Sequence, residues 1–163
     1  MRINGLQGGG LGLLELLKVP LKLSTQRGWE HFHHEADMGI RGRGATLEAA
    51  FEAAACALTA VLTDLERVED REEVSLVCEG EDVEILFVDW LNALIFEMST
   101  RKMLFRRFEV KRDGSRLFGR AWGEPVRVEH HQPAVEVKGA SFTELKVQEI
   151  PGEGWMAQTV VDV

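Results

Sequence analysis

The strongest structural signal in the sequence is a long apolar stripe that follows Asp82. The apolar residues that recur there at three- and four-residue spacing are Val83, Leu86, Phe87, Trp90, Leu91, Leu94, Ile95 and Met98. This spacing places them on one broad face of an α-helix, and such a face is buried against a second layer of structure. The segment therefore predicts a core helix that begins at Asp82.

A second helix is predicted from Thr46 to about Asp64. Thr46 is a favourable N-cap residue, and Glu48 in the first turn complements the helix dipole. Apolar residues again recur at helical spacing within an alanine-rich body, namely Leu47, Phe51, Ala54, Ala55, Leu58 and Leu62. The pattern indicates an amphipathic helix.

The rest of the sequence from Trp29 onward has the short, alternating apolar segments of β-strands. Asp113-Gly114 lies between two such segments and is a strong hairpin signal. The predicted strands cover residues 29–33, 38–43, 73–79, 104–111, 116–124, 126–130, 135–138, 142–148 and 155–161. Two helices among many strands, without regular alternation of the two, predict an α+β two-layer sandwich in which the helices pack on largely antiparallel sheet.

Residues 1–28 differ in composition from the rest of the chain. They contain three consecutive glycines, a short leucine-rich piece, Pro20 and a polar stretch. We expect a flexible N-terminal extension here, with a short amphipathic interaction helix at residues 11–18 as the alternative, and one organised domain over residues 29–163.

The charge distribution limits the partners of this domain. Residues 1–28 carry a formal charge of +3, so the −8 of the whole chain leaves −11 on residues 29–163. A body this acidic repels a phosphate backbone and attracts cations and basic protein surfaces. If RNA matters to the function, we expect a partner protein to hold it.

Cysteine usage and hydropathy suggest a cytoplasmic protein. Cys56 and Cys78 lie in apolar surroundings without a CxxC pairing, which predicts free thiols in a reducing compartment. No apolar run reaches the roughly 18 residues that a membrane span needs. We therefore expect no membrane association.

Residues 29–40 concentrate imidazoles and carboxylates. His31, His33 and His34 lie close to Glu35 and Asp37. A solvated turn is one interpretation, and a zinc site is another because imidazole suits zinc. Since side chains alternate along a strand, His31 and His33 share a face while His34 points away, which argues against a simple zinc site. A metal-dependent hydrolase that uses His31, His34 and Asp37 stays open as an alternative function.

The end of the sequence offers a second set of ligands. Asp162 places a side-chain carboxylate close to the α-carboxylate of Val163. If the last strand is held in a sheet, as Trp155 and the two valines before Asp162 suggest, these oxygens are fixed together and need a cation. Hard oxygen donors without a soft ligand select calcium or magnesium. A frayed, solvated terminus is the other interpretation.

Two further segments contain polar residues at informative positions. Lys138 is either a solvated strand lysine or an ammonium group that contacts the carboxylates or a partner's phosphate. In residues 89–92, Trp90 and Leu91 belong to the apolar stripe, whereas Asp89 and Asn92 lie outside it.

Together these segments resemble the archease family over residues 29–163. No single piece is diagnostic, but their order and spacing are specific. The matching segments are 29–31 (WEH), 34–40 (HEADMGI), 46–51 (TLEAAF), 89–92 (DWLN), 105–110 (FRRFEV), 136–140 (EVKGA), 154–158 (GWMAQ) and 162–163 (DV). Two positions depart from the family pattern, since Glu35 replaces the usual Thr and Gly139 the usual Ala.

The resemblance implies a metal site built from Asp37, Asp162 and Val163. Calcium is the ion usually placed there, with magnesium or another divalent cation as alternatives. Only the resemblance joins Asp37 to the terminal residues. It also implies that Lys138 matters for activity, and we include His34 as a further candidate for a functional contact.

The resemblance further implies a role as a protein cofactor rather than an enzyme. Archeases assist the RtcB-type tRNA-splicing ligase, which uses GTP and manganese to join RNA ends. The helper promotes guanylylation of the ligase and permits multiple turnovers. A chaperone-like role towards a tRNA methyltransferase is the alternative partner hypothesis.

Overall fold

The computed structural model describes residues 28–163, so the expectations for an N-terminal extension and a helix at residues 11–18 fall on residues outside the described part, apart from Gly28. The helices and strands are β1 (Trp29–His34), β2 (Asp37–Gly44), α1 (Leu47–Leu62), a 3₁₀ turn (Leu65–Arg67), β3 (Glu72–Glu79), α2 (Val83–Arg101), β4 (Met103–Asp113), β5 (Arg116–Pro125), α3 (Val128–His131), β6 (Gly139–Ala140), β7 (Lys146–Ile150) and β8 (Gly154–Asp162).

The strands form two antiparallel sheets. The five-stranded sheet has the order β1-β2-β8-β6, and β7 also pairs with β8, next to β6 along the same strand. The three-stranded sheet has the order β3-β5-β4. Both long helices contact strands of both sheets. This arrangement confirms the predicted α+β class with two main helices on largely antiparallel sheet.

The two long helices begin where the sequence predicts. Thr46 caps α1, because its side-chain oxygen accepts the N–H of Ala49 at 3.0 Å. Asp82 caps α2 and accepts the N–H groups of Glu84 and Ile85 at 2.8 and 3.2 Å. These bonds satisfy donors that a helix start leaves unpaired. Within residues 28–163, no helix combines the length and apolar character that crossing a membrane requires.

The two long helices meet in the core through Trp90, Phe87 and Phe51. Trp90 is fully buried, and its indole N–H donates to the carbonyl of Phe51 at 3.1 Å. The rings of Phe51 and Phe87 lie 4.9 Å apart. Close approach of α1 to β2 requires Gly42, where a Cβ would lie 2.3 Å from the backbone nitrogen of Ala54. Packing of α1 thus fixes the position of β2, the strand that begins at Asp37.

Three predicted strands are wrong in whole or in part. Alternation predicts a strand over residues 126–130, but the chain enters α3 at Val128, where the backbone N–H groups of His130 and His131 both donate to the carbonyl of Arg127. Residues 135–138 form no strand, and of residues 142–148 only Lys146 onward is extended, in β7. An alternating pattern is therefore insufficient to predict this region, where tertiary contacts determine the backbone path.

Gly139→Ala is expected to stabilise the fold by roughly 0.4–1 kcal/mol, because alanine lowers the entropy of the unfolded chain. A Cβ at this position would meet only Asn92 Oδ1, at 3.6 Å. Gly123→Ala provides the opposite case, because its Cβ would lie 1.8 Å from the carbonyl oxygen of Leu104. Urea unfolding should show a loss of roughly 1–3 kcal/mol for Gly123→Ala. A destabilised Gly139→Ala variant would contradict the prediction.

Candidate metal site

The β1–β2 hairpin places Asp37 at the start of β2. His34 pairs with Asp37, so Glu35 and Ala36 form a two-residue connection. Glu35 is exposed and has a φ of 54°, in the left-handed region that is unfavourable for a residue with a Cβ. The added carboxylate at this departure from the family pattern therefore lies in the exposed turn next to Asp37.

The pairing of β2 with β8 brings Asp37 to the last residues of the sequence. Met38 pairs with Val161, so Asp37 lies beside the end of β8. The backbone N–H of Val163 donates to Asp37 Oδ1 at 3.2 Å. Asp162 is exposed, whereas Asp37 and Val163 are half-buried. We refer to Asp37, Asp162 and Val163 as the carboxylate corner.

Lys138 and Asn92 approach this corner from the other edge of β8. The backbone N–H of Lys138 donates to the carbonyl of Asp162 at 2.8 Å, and Gly139 pairs with Asp162. The N–H of Ala140 donates to Asn92 Oδ1 at 2.9 Å. Residues 138–140 thus connect Asn92 of α2 to Asp162 at the end of β8.

The carboxylate corner has the chemistry of a site for a hard cation. Within residues 28–163, neither Asp37 nor Asp162 forms an ion pair with a lysine, arginine or histidine. The half-buried carboxylate of Asp37 and the exposed carboxylate of Asp162 therefore lie at the end of β8 without a salt-bridge partner among the described residues. Oxygen donors of this kind suit calcium, which accepts irregular geometry, better than metals that prefer nitrogen or sulfur.

The histidine cluster is not assembled into a metal site. His31 Nε2 lies 2.8 Å from the carbonyl oxygen of Ala57 in α1, and its ring packs 5.2 Å from Trp29. His33 is exposed and His34 is half-buried. Among the histidine, cysteine, aspartate and glutamate side chains of the described residues, the only group of three or more that lie close enough to share an ion is elsewhere, at Glu124, His130 and His131. In the described residues, the side chains that the hydrolase alternative needs therefore do not form one shared site.

Glu124 and His131 form a buried pair that the sequence patterns do not predict. His131 Nε2 lies 2.9 Å from Glu124 Oε2, and the backbone N–H of Arg127 donates to His131 Nδ1 at 2.8 Å. Because Nδ1 accepts, Nε2 must carry the proton and donate it to Glu124. Neither nitrogen of His131 is then free to bind a metal. The pair is a hydrogen-bonded anchor for α3 rather than a metal site.

The environment of Glu124 favours its charged form. Burial raises the pKa of Glu124, but the hydrogen bond from His131, the N–H of Glu69 and the nearby positive charges outweigh it and hold the pKa below its ordinary value. The guanidinium groups of Arg71 and Arg127 lie 3.7 and 3.5 Å from Oε1. The sequence gives little indication that Glu124 is buried, because it stands at the end of a predicted alternating strand, where a glutamate usually faces solvent.

Of the two cysteines, Cys78 is buried and Cys56 is half-buried. Both are free of disulfide bonds, and burial raises the pKa of each to about 11. At neutral pH they are therefore protonated and poorly nucleophilic. This agrees with the expectation of free thiols.

His131→Ala is expected to destabilise the fold by about 3 kcal/mol, because it leaves the buried Glu124 carboxylate without its main donor. The matched control is His130→Ala, which removes a bond to the carbonyl of Arg67 near the surface and a ring contact with His131 but leaves the buried pair its hydrogen bond. Urea unfolding at pH 7 should separate the two variants. Equal stability of the two would show that the buried pair contributes little.

The same pair predicts a pH dependence of stability. A carboxylate with a depressed pKa stabilises the fold above its unfolded value, near 4.5, and this contribution is lost as the pH falls through the lower folded value. We expect Glu124→Gln to lose stability at pH 7 and to show a smaller decline than the unmodified chain between pH 5 and about 3. Parallel urea titrations across this range measure the difference.

Comparison with known proteins supports the family resemblance. The sequence profile of the Archease protein family matches residues 29–163. Protein archease of Pyrococcus furiosus is 40% identical over 141 residues, which span 84% of this chain and 99% of that protein. Protein archease of Sulfurisphaera tokodaii is 36% identical over 137 residues, spanning 83% and 98% of the two chains.

Two solved structures share the fold. The solution structure of a Methanobacterium thermoautotrophicum protein has a TM-score of 0.75 and 35% identity, covering 84% of this chain and 99% of its own. The crystal structure of a Thermotoga maritima protein, described as an archease and possible chaperone, has a TM-score of 0.53 and 23% identity, covering 82% and 96%. At that identity the second likeness supports the fold alone.

Proposed function

Because this chain belongs to the archease family, we propose that it is a metal-binding helper protein that activates an RtcB-type RNA ligase and catalyses no reaction by itself. In this proposal Asp37, Asp162 and the α-carboxylate of Val163 bind calcium, or another divalent cation, and the occupied corner acts on the ligase. The helper promotes guanylylation of the ligase and its repeated turnover in the cytoplasm. RNA is reached only through the ligase, since residues 29–163 carry a formal charge of −11.

The observation that carries this proposal is the hydrogen bond from the N–H of Val163 to Asp37 Oδ1 at 3.2 Å. This bond holds the side chain of Asp37 beside the last residue of the sequence. In the proposal, the carboxylates of Asp37, Asp162 and Val163 face one ion, and their mutual repulsion is relieved when a divalent cation binds. The cation would in turn fasten the β1–β2 hairpin to the end of β8.

Lys138 is the side chain best placed to act together with this ion. Its backbone N–H is bonded to the carbonyl of Asp162, so the path of residues 138–140 depends on the end of β8. The side chain is exposed and available for a phosphate or carboxylate of the partner. His34, which pairs with Asp37 across the hairpin, offers a second contact on the opposite side of the corner.

A chaperone-like action on a tRNA methyltransferase is the second candidate. It is the alternative that the resemblance to the archease family implies. The hydrolase alternative is weaker, because His31 is engaged with α1 and lies apart from a shared site with His34 and Asp37. Binding of several unrelated client proteins with equal affinity, in the absence of a ligase, would favour a chaperone role.

Asp37→Asn and Asp162→Asn are expected to weaken calcium binding at least about tenfold, since each removes one of three negative ligands. Both should also lose most of the stimulation of ligase guanylylation while their helical content is retained. Glu149→Gln, an exposed strand carboxylate outside the corner, is the matched control. Calorimetric calcium titration and a guanylylation assay, repeated after chelation and calcium return, provide the measurements.

Lys138→Ala separates ion binding from activation. We expect this variant to bind calcium normally and to stimulate the ligase poorly. Full stimulation by the Asp37→Asn and Asp162→Asn variants would remove the ion from the mechanism. Undiminished calcium affinity in both would refute the location of the site.

A further inference from the structure

The solvent side of α2 exposes large apolar side chains in a single stripe. Ile85 is 46% exposed and Phe96 is 62% exposed. The exposed residues Asp89 and Asn92 lie between them, and the spacing of four, three and four residues places all of them on one face of the helix. The remaining apolar residues of α2 are needed for the core, whereas these two have no such role.

A third exposed aromatic residue is brought to the same face by Asn92. The side chain of Asn92 accepts the N–H of Ala140 at 2.9 Å, and Phe142 follows two residues later with 65% of its surface exposed. Two residues of chain span at most roughly 7 Å. Phe142 therefore lies within roughly 7 Å along the chain of the residue that bonds to Asn92, on the edge of the five-stranded sheet next to α2. We call Ile85, Phe96 and Phe142 the α2 face.

The α2 face borders the carboxylate corner. Gly139, beside Ala140, pairs with Asp162, so the segment that bonds to Asn92 also bonds to the end of β8. Two exposed carboxylates accompany the face, Asp89 on α2 and Asp162 at the end of β8, with Lys138 exposed at the same edge. Scattered apolar residues are common on protein surfaces, but apolar residues grouped within a charged rim mark interaction sites.

We propose that the α2 face docks on a partner protein that presents an apolar recess rimmed by lysine and arginine. The acidic rim is complementary to such a surface and repels nucleic acid, anionic membranes and the same face of a second copy of this chain. The identification of this partner as the RNA ligase rests on the proposed function. Docking here would deliver Lys138 and the carboxylate corner to the ligase.

The test compares Phe96→Ser and Phe142→Ser with Phe118→Ser in the full chain. Phe118 is exposed to 39% in the three-stranded sheet, on β5, and is the matched control. We expect the first two substitutions each to raise the Kd for the ligase at least tenfold, without changing Tm or calcium affinity, and the control to bind normally. Asp89→Lys should also weaken binding, and added salt should weaken binding of the unmodified chain.

The outcomes distinguish this inference from the proposed function. Unchanged ligase affinity in both the Phe96→Ser and Phe142→Ser variants overturns the docking face and leaves activation by the ion untouched. Loss of binding in these variants, together with normal stimulation by the Asp37→Asn variant, supports the face and overturns the ion mechanism. Failure of the unmodified chain to bind the ligase overturns both. Dimers in sedimentation that the phenylalanine substitutions disrupt would identify a second copy as the occupant and also overturn the proposal.

Discussion

The antiparallel pairing of β2 with β8 is the constraint on which the candidate site depends. Residues 38–44 pair with residues 155–161, which brings together segments near the two ends of the described chain. The same pairing forms the middle of the five-stranded sheet and places Asp37 next to Val163. Because a shift of one residue would turn every side chain of a strand to the opposite face, the position of Asp37 is fixed by the burial of its neighbours.

The packing of α1 and α2 maintains this register. Gly42 allows α1 to lie directly on β2, and the indole N–H of Trp90 connects α2 to α1. Asn92, on the opposite side of α2, bonds to the segment beside Asp162. One helix thus contributes both to the core and to the second edge of the candidate site. Asn92, a polar residue just outside the apolar stripe, positions the segment at Ala140, while the stripe itself is buried in the core.

The segment between β5 and β6 is held at both ends by buried or paired polar groups. The Glu124–His131 pair fixes its beginning, and the bond from Lys138 to Asp162 fixes its end. The carbonyl of His131 also accepts the hydroxyl of Thr63, beyond the end of α1. A connection with little regular structure is therefore kept in one path. Its ordered path lets an exposed lysine occupy a defined place beside the carboxylate corner.

Local sequence signals determined the two long helices, because their caps and apolar periodicity act within a few residues. The same holds for the hairpin at Asp113-Gly114 and for the buried face of β3, where Val74, Leu76 and Cys78 alternate with exposed residues. These features depend on neighbours in the chain and can be recognised without the fold.

Tertiary structure alone decided the path of residues 126–138 and the assembly of the candidate site. Alternation predicted a strand over residues 126–130, but α3 forms because His131 is buried against Glu124. The sequence suggested that Asp162 and Val163 lie together, since they are adjacent. It contained no local signal that joins them to Asp37, which lies 126 residues before Val163 and reaches it only through the pairing of β2 with β8. Contacts over such separations depend on how the whole chain buries its apolar surface, and short-range patterns do not encode them.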